Sequence, residues 1–216
     1  MTRVYILVEG QTEETFVREL LAQHYARIGL YLTPILVSTS LHHKGGIVSY
    51  AKVKPQIERL CKQDGNAYVT TMFDLYALPG DFPGKRCAAW TQQQTGSDKA
   101  NLIEAELSRD IDRRNFIPYI QVHEFEALLF VQPARFGDWT STHVVSRLAA
   151  MAAANAPEDI NDHPQSAPSK RILTHMPEYQ KTFHGPLIAC DIGLDAMRAA
   201  CPHFASWLDK LDGLIR

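Results

Sequence analysis

Two acids stand where short apolar runs stop. Glu9 follows Arg3 to Val8 (RVYILV) and precedes Gly10, and Asp74 closes Ala67 to Phe73 (AYVTTMF). Carboxylates set at strand ends, with oxygen donors and little sulfur or imidazole nearby, suit Mg²⁺ or Mn²⁺ rather than zinc. An ion held there polarises a phosphate and lowers the pKa of a bound water, which is the chemistry of phosphodiester cleavage. In His123-Glu124-Phe125-Glu126 the two glutamates point ~200° apart on a helix but to one side of an extended segment. A helix therefore offers the site one of them; the alternative is a pair of first-turn acids favoured by the helix dipole. His123 is a lesser candidate for a general base.

The phosphate side of the chemistry needs donors and positive charge. Ser169-Lys170-Arg171 follows Pro168 and reads as the start of a helix with Ser169 in the capping position. Lys170 and Arg171 there can hold a phosphate or offset charge building up on it, the alternative being an ordinary cap with exposed charges. Gly10 and the Lys44-Gly45-Gly46 stretch can present backbone N–H groups, although the latter matches neither a P-loop nor a Rossmann glycine pattern. His42, His43, Cys190, Cys201 and His203 lack zinc-finger spacing. No G-x-S-x-G elbow points to acyl transfer.

The elements that must position these residues follow from periodicity. Arg3 to Val8 is a buried-type strand, and from Thr12 the stripe Phe16, Val17, Leu20, Leu21, Tyr25 and Ile28 predicts a helix with Thr12 as N-cap. A second strand over Leu32 to Val37 leads through a polar loop to a helix ending near Gln63. The third strand ends at Asp74, and Leu78 to Gly84 (LPGDFPG) is a loop. A helix over Ser97 to Ile111 and a fourth strand over Phe116 to Val122, made an edge strand by Pro118, complete a β-α-β-α-β-α-β order. Such alternation predicts a largely parallel sheet with helices on both faces, and ligand sites beyond the carboxyl ends of its strands. The remainder reads as helices over Glu124 to Phe130, Val144 to Asn155, a region after Ser169, and Phe204 to Leu211. The proline-rich loop Ala156 to Pro168 lies between them. A single α/β domain over 1–216, with a helical elaboration from about 140, is the expectation.

Composition narrows the function classes. With 45% apolar and 21% charged residues the chain can fill a core and is neither disordered nor membrane-embedded. No apolar run approaches the ~20 residues of a membrane helix and no signal peptide is read, so a cytoplasmic location is expected. The four scattered cysteines read as reduced thiols. A net charge of −2 excludes whole-molecule attraction to nucleic acid, so any such contact must be local.

Val8-Glu9-Gly10-Gln11-Thr12-Glu13 resembles the first motif of TOPRIM domains, a glutamate at the end of strand one followed by a tight glycine turn. Where topoisomerase-primase domains and overcoming-lysogenization-defect nucleases carry Asp-x-Asp, this chain has Asp74-Leu75-Tyr76, so the resemblance implies that Asp81, Glu124 or Glu126 completes the site if two metals bind. The longer pattern resembles the bacterial domain-of-unknown-function family 4276, whose members are treated as TOPRIM-like. It comprises VEGQTEETF (Val8 to Phe16), MFDLYALPGDFPG (Met72 to Gly84), PYIQVHEFEALLF (Pro118 to Phe130) and INDHPQSAPSKRI (Ile160 to Ile172). The resemblance implies a TOPRIM-like fold, a Mg²⁺- or Mn²⁺-dependent nuclease acting on DNA or RNA, and a role in phage defence or mobile elements with a partner ATPase. A homodimer is a further possibility. The rival readings are a non-catalytic subunit that regulates a partner ATPase or nucleic acid, and a phosphatase or nucleotide-processing enzyme.

Overall fold

β1 (Thr2–Val8) runs between two parallel neighbours, β2 (Leu30–Leu36) on one side and β5 (Ala67–Asp74) on the other. The computed structural model in which this is seen describes residues 1–40, 43–44, 47, 49–160 and 166–215, with backbone alone at 39–40 and 43–44. Beyond β5 lies a broken edge strand, β6 (Phe116–Ile117) and β7 (Ile120–Gln121), both parallel to β5. β3 (Ser38–Ser40) and β4 (His43–Lys44) form a separate antiparallel pair. Each edge of the main sheet carries a proline, Pro34 in β2 and Pro118 between β6 and β7, where a missing N–H is tolerated. At the Pro118 break the Thr71 hydroxyl replaces the ladder: Oγ1 donates to the Tyr119 carbonyl at 2.8 Å and accepts the Tyr119 N–H at 2.9 Å. The expected fourth strand is thus present as two short pieces.

The parallel pairs are joined through helices. α1 (Gln11–Phe16), a π-helical turn (Val17–Leu21) and α2 (Ala22–Ala26) connect β1 to β2. α3 (Tyr50–Gln63) leads to β5, and α4 (Gly96–Ile111) to β6. Alternation along the strands divides the core. Val4, Ile6, Val8 and Met72 pack with Phe16, Val17, Leu21 and Tyr25, whereas Leu7, Val69 and Phe73 pack with Val53, Ile57, Ile103 and Leu107. The α/β architecture with a parallel sheet between helices is as the periodicity predicts.

The C-terminal half completes the first of these layers. It comprises 3₁₀ turns Phe125–Val131, Pro133–Asp138 and Pro157–Asp159 and the helices α5 (Thr142–Ala154), α6 (Pro168–His175), α7 (Lys181–Ile192), α8 (Leu194–Ala200) and α9 (Pro202–Asp212). Trp207 of α9 stacks on Tyr119 at 4.3 Å between centroids and donates its indole N–H to the Thr70 hydroxyl at 3.0 Å. The helix expected over Glu124 to Phe130 is a tighter 3₁₀ element. Phe125 to Phe130 are all buried, and the first turn closes over three residues, with the Ala127 N–H on the Glu124 carbonyl at 2.9 Å. Among the described residues, no helix is long and apolar enough to cross a membrane, and the four cysteines are free.

Candidate active site

The acids meet at the carboxyl end of the sheet because the two central strands stop in step. Glu9 leaves β1 as Asp74 ends β5, and the Asp74 N–H lies 3.4 Å from Glu9 Oε2. Past the formal strand ends the backbones continue side by side: Leu75 N–H reaches the Gln121 carbonyl at 2.9 Å and Tyr76 N–H the His123 carbonyl at 2.8 Å. This lays the segment after β7 against Asp74, whose Oδ1 accepts the Phe125 N–H at 2.9 Å.

His123 has φ of +60°, a left-handed conformation that costs a β-carbon-bearing residue of order 1 kcal/mol or more. Glu124 then sits in extended backbone as the N-cap of the 3₁₀ turn. That change of conformation removes the helical phase conflict between Glu124 and Glu126. Both face one cation, the Lys181 ammonium, 3.1 Å from Glu126 Oε2 and 3.9 Å from Glu124 Oε1. Tyr179 donates its hydroxyl to Glu126 Oε1 at 3.4 Å.

Glu13 is the fifth acid. It is buried in the first turn of α1, and its Oε2 accepts the Gly10 N–H at 2.9 Å. Gly10 is therefore the N-cap, two residues before the expected Thr12, and its N–H is engaged by Glu13 rather than open to a phosphate.

So many buried carboxylates raise one another's pKa. Burial, then the charge of Glu13, pushes Glu9 up to about 7, against the pull of the Asp74 N–H and Lys181. Burial likewise lifts Glu126 to about 7, with Lys181 opposing. Asp74 is raised well above the usual carboxylate range by burial and by Glu13, Glu9 and Glu126. Burial works against the Lys181 charge, yet Glu126, Asp74 and Glu124 together hold the ammonium more firmly protonated than usual. A lysine at the first position of a helix also faces the positive end of the dipole, so these acids keep it there. Gly185 lets α7 come this close: a β-carbon there would lie 2.9 Å from the Tyr179 hydroxyl.

The other sequence candidates lie differently. Ser169 is the second residue of α6, not its cap, and both its N–H (2.9 Å) and hydroxyl (3.0 Å) are bound by the Glu124 carboxylate. The anion position at this helix start is filled by the protein's own acid. Arg171 is clamped to the carbonyls of Ser166 at 2.7 Å and Ile160 at 3.0 Å, while Lys170 is exposed. Asp81 accepts the Ala51 N–H at 3.3 Å at the start of α3. His123 Nε2 lies 2.9 Å from the Glu158 carbonyl. His42, Gly45 and Gly46 lie outside the described residues, as does the side chain of Lys44. A cleft of about 590 Å³ lies at the opposite end of the sheet, lined by Thr2, Gly29, Asn66 and Arg114.

Lys181, Tyr179 and the inward role of Glu13 are what sequence reasoning missed. Glu13 carried a usable signal, the spacing Gly10-x-x-Glu13 of a capping box; Lys181 carried none. By donor chemistry the cluster suits a hard divalent cation, since it is all oxygen and holds five acids against one lysine. Among the described residues, however, no three His, Cys, Asp or Glu side chains are already drawn into a ligand set.

Among solved structures, the chain is similar to the C-terminal region of the Xanthomonas campestris pv. campestris OLD protein. In the iodine-phased form the identity is 15% and the TM-score 0.43, over 98% of this chain and 97% of that one. In the platinum-phased form the values are 13% and 0.43, over 99% and 94%. No curated protein matches. Residues 8–212 match the domain of unknown function DUF4276. That match spans nearly the whole chain and contains every acid of the cluster, so the chain belongs to the DUF4276 family.

Proposed function

We propose that this protein is a metal-dependent phosphodiester hydrolase acting on nucleic acid. The observation that carries the reading is the gathering of Glu9, Glu13, Asp74, Glu124 and Glu126 beyond the carboxyl ends of parallel strands, where Lys181 pairs with Glu124 and Glu126. The motif resemblance to TOPRIM domains at Glu9 and Asp74 points the same way. Glu9, Asp74, Glu124 and Glu126 would hold Mg²⁺ or Mn²⁺, which when bound supplies polarisation of the scissile phosphate and an acidified water.

The chain's own residues do the rest. Where Glu9 acts instead as the general base, with Asp74, Glu124 and Glu126 left to hold the ion, its carboxyl, pushed up to about 7 by burial, takes the proton from an attacking water near neutral pH. Lys181 keeps 42% of its side-chain surface open and offsets charge on the phosphoryl oxygens, the role that sequence reading gave to Lys170 and Arg171. The test is cleavage of labelled single- and double-stranded DNA and RNA in Mg²⁺ or Mn²⁺. Loss of cleavage in EDTA and in Glu9→Gln is expected; full activity of Glu9→Gln would remove Glu9 from the mechanism.

A second reading is favoured by the bonds the acids already make. Glu13, Asp74 and Glu124 each bind a backbone N–H, and Tyr76 stands where an Asp-x-Asp motif has its second acid. A subunit that binds nucleic acid or a partner ATPase without turnover fits those facts. Mn²⁺ binding without cleavage of any of the four substrates would select it.

A further inference from the structure

The turn that carries Glu124 and Glu126 toward Lys181 is made at His123, whose side chain has no part in the cleavage chemistry above. The ring is buried, and its Nε2 lies 2.9 Å from the Glu158 carbonyl. A carbonyl only accepts, so that nitrogen carries the proton and donates it. Glu158 is itself fixed: its carboxylate oxygens accept the N–H groups of His203 and Phe204, each at 2.9 Å, at the start of α9. The imidazole thus ties the turn to the C-terminal helix.

Main-chain bonds hold the turn to the sheet. The His123 carbonyl accepts the Tyr76 N–H at 2.8 Å, and two residues on the Phe125 N–H donates to Asp74 Oδ1 at 2.9 Å. Between these fixed points His123 has φ of +60°. A residue with a β-carbon leaves that region unless its surroundings hold it there. The ring also fills space that α4 leaves open. A β-carbon on Gly96, the first residue of that helix, would lie 2.8 Å from His123 Cε1 and 2.8 Å from Val122 Cγ1.

We infer that His123 is a positioning residue for the acid site: its imidazole, held between Glu158 and Gly96, keeps the backbone left-handed and so brings Glu124 and Glu126 to Lys181. The inference rests on the reading of these acids as a metal site. With φ relaxed to the ordinary extended region, the chain after His123 leaves in another direction. That takes the Phe125 N–H from Asp74 and the two glutamates from their cation. The ring orients ligands without holding the ion itself, and loss of such support lowers metal affinity by about 10- to 100-fold.

The test compares His123→Ala, His123→Gly and Gly96→Ala with the unaltered protein in calorimetric Mn²⁺ titrations, well below each melting midpoint so that only folded protein is compared. Alanine gives up the ring but keeps a β-carbon, so affinity is expected to fall about tenfold or more. Glycine adopts φ of +60° freely and should recover most of that loss. Gly96→Ala changes none of the acids but displaces the ring, and should fall with His123→Ala. Hydrolysis of bis(p-nitrophenyl) phosphate is expected to follow in kcat with KM little changed. Alanine as good as histidine, or Gly96→Ala without effect, overturns the inference. So does glycine no better than alanine, which would make the imidazole itself the working group. Hydrogen exchange of the Phe125 amide ranks the variants without metal: fast in His123→Ala and Gly96→Ala, slow in His123→Gly and the unaltered protein. Failure of the unaltered protein to bind Mn²⁺ sinks the metal reading, and the order of exchange rates then decides alone for or against His123.

Discussion

Lys181 sits against the dipole of its own helix and stays charged through three acids, so it is the side chain on which cleavage should depend most steeply. Lys181→Met is expected to lower turnover by about 10²-fold or more, as loss of a charge-stabilising donor does, while exposed Lys170→Ala stays within a few-fold. Steady-state cleavage of one labelled strand compares the two. The acids make a second prediction. Glu9 and Glu126 have folded-state pKa values near 7, above the ordinary 4.5, so between these pH values the folded chain binds more protons than the unfolded one. Stability in EDTA therefore falls as pH rises from about 4.5 to about 7, and Glu126→Gln should flatten the fall and gain roughly 1–2 kcal/mol at pH 8. Denaturant titration across that range checks both; a midpoint that rises with pH contradicts the cluster. Glu9 and Asp74 were legible in the sequence because a strand end announces itself by where apolar residues stop. Lys170 and Arg171 were not resolved by sequence, because a basic pair after proline looks the same whether it faces a ligand or, like Arg171, ties carbonyls of its own loop.

The strands and amphipathic helices were legible wherever one face is wet. The helix expected over Ser97 to Ile111 starts at Gly96, within a residue of its reading, with Thr95 accepting the Asp98 N–H at 3.0 Å. Segments buried all round gave no such signal, as at the 3₁₀ turn Phe125–Val131. The broken edge strand was foreshadowed by Pro118, but its repair by the Thr71 hydroxyl was not, since a threonine in a strand has no sequence mark for a bond across the sheet. That repair carries its own prediction. Thr71→Val leaves the buried Tyr119 N–H unpaired and should cost about 1–3 kcal/mol, with Thr71→Ser retaining most of the stability. Urea midpoints of the three proteins measure it. Because β7 leads directly to Glu124, the valine variant is also expected to loosen the acid cluster and lower cleavage.

The assembled molecule is a parallel sheet whose first face is covered only when residues far apart in the chain meet. Trp207 on α9 caps Tyr119 and Thr70, and Trp207→Ala should cost about 3–5 kcal/mol, read as a lowered thermal midpoint. The helical elaboration was visible in the sequence as a run of helices; that it forms one wall of the core was not, because long-range docking leaves no local period. The same architecture bears on synthesis. A nascent chain that has emerged only through α4 has its Leu7 and Phe73 side packed, but Val4, Ile6 and Val8 still await the last three helices, and Glu9 and Asp74 await Lys181. A chain cut before α7 is therefore expected to leave that face unsealed and the five acids without their cation.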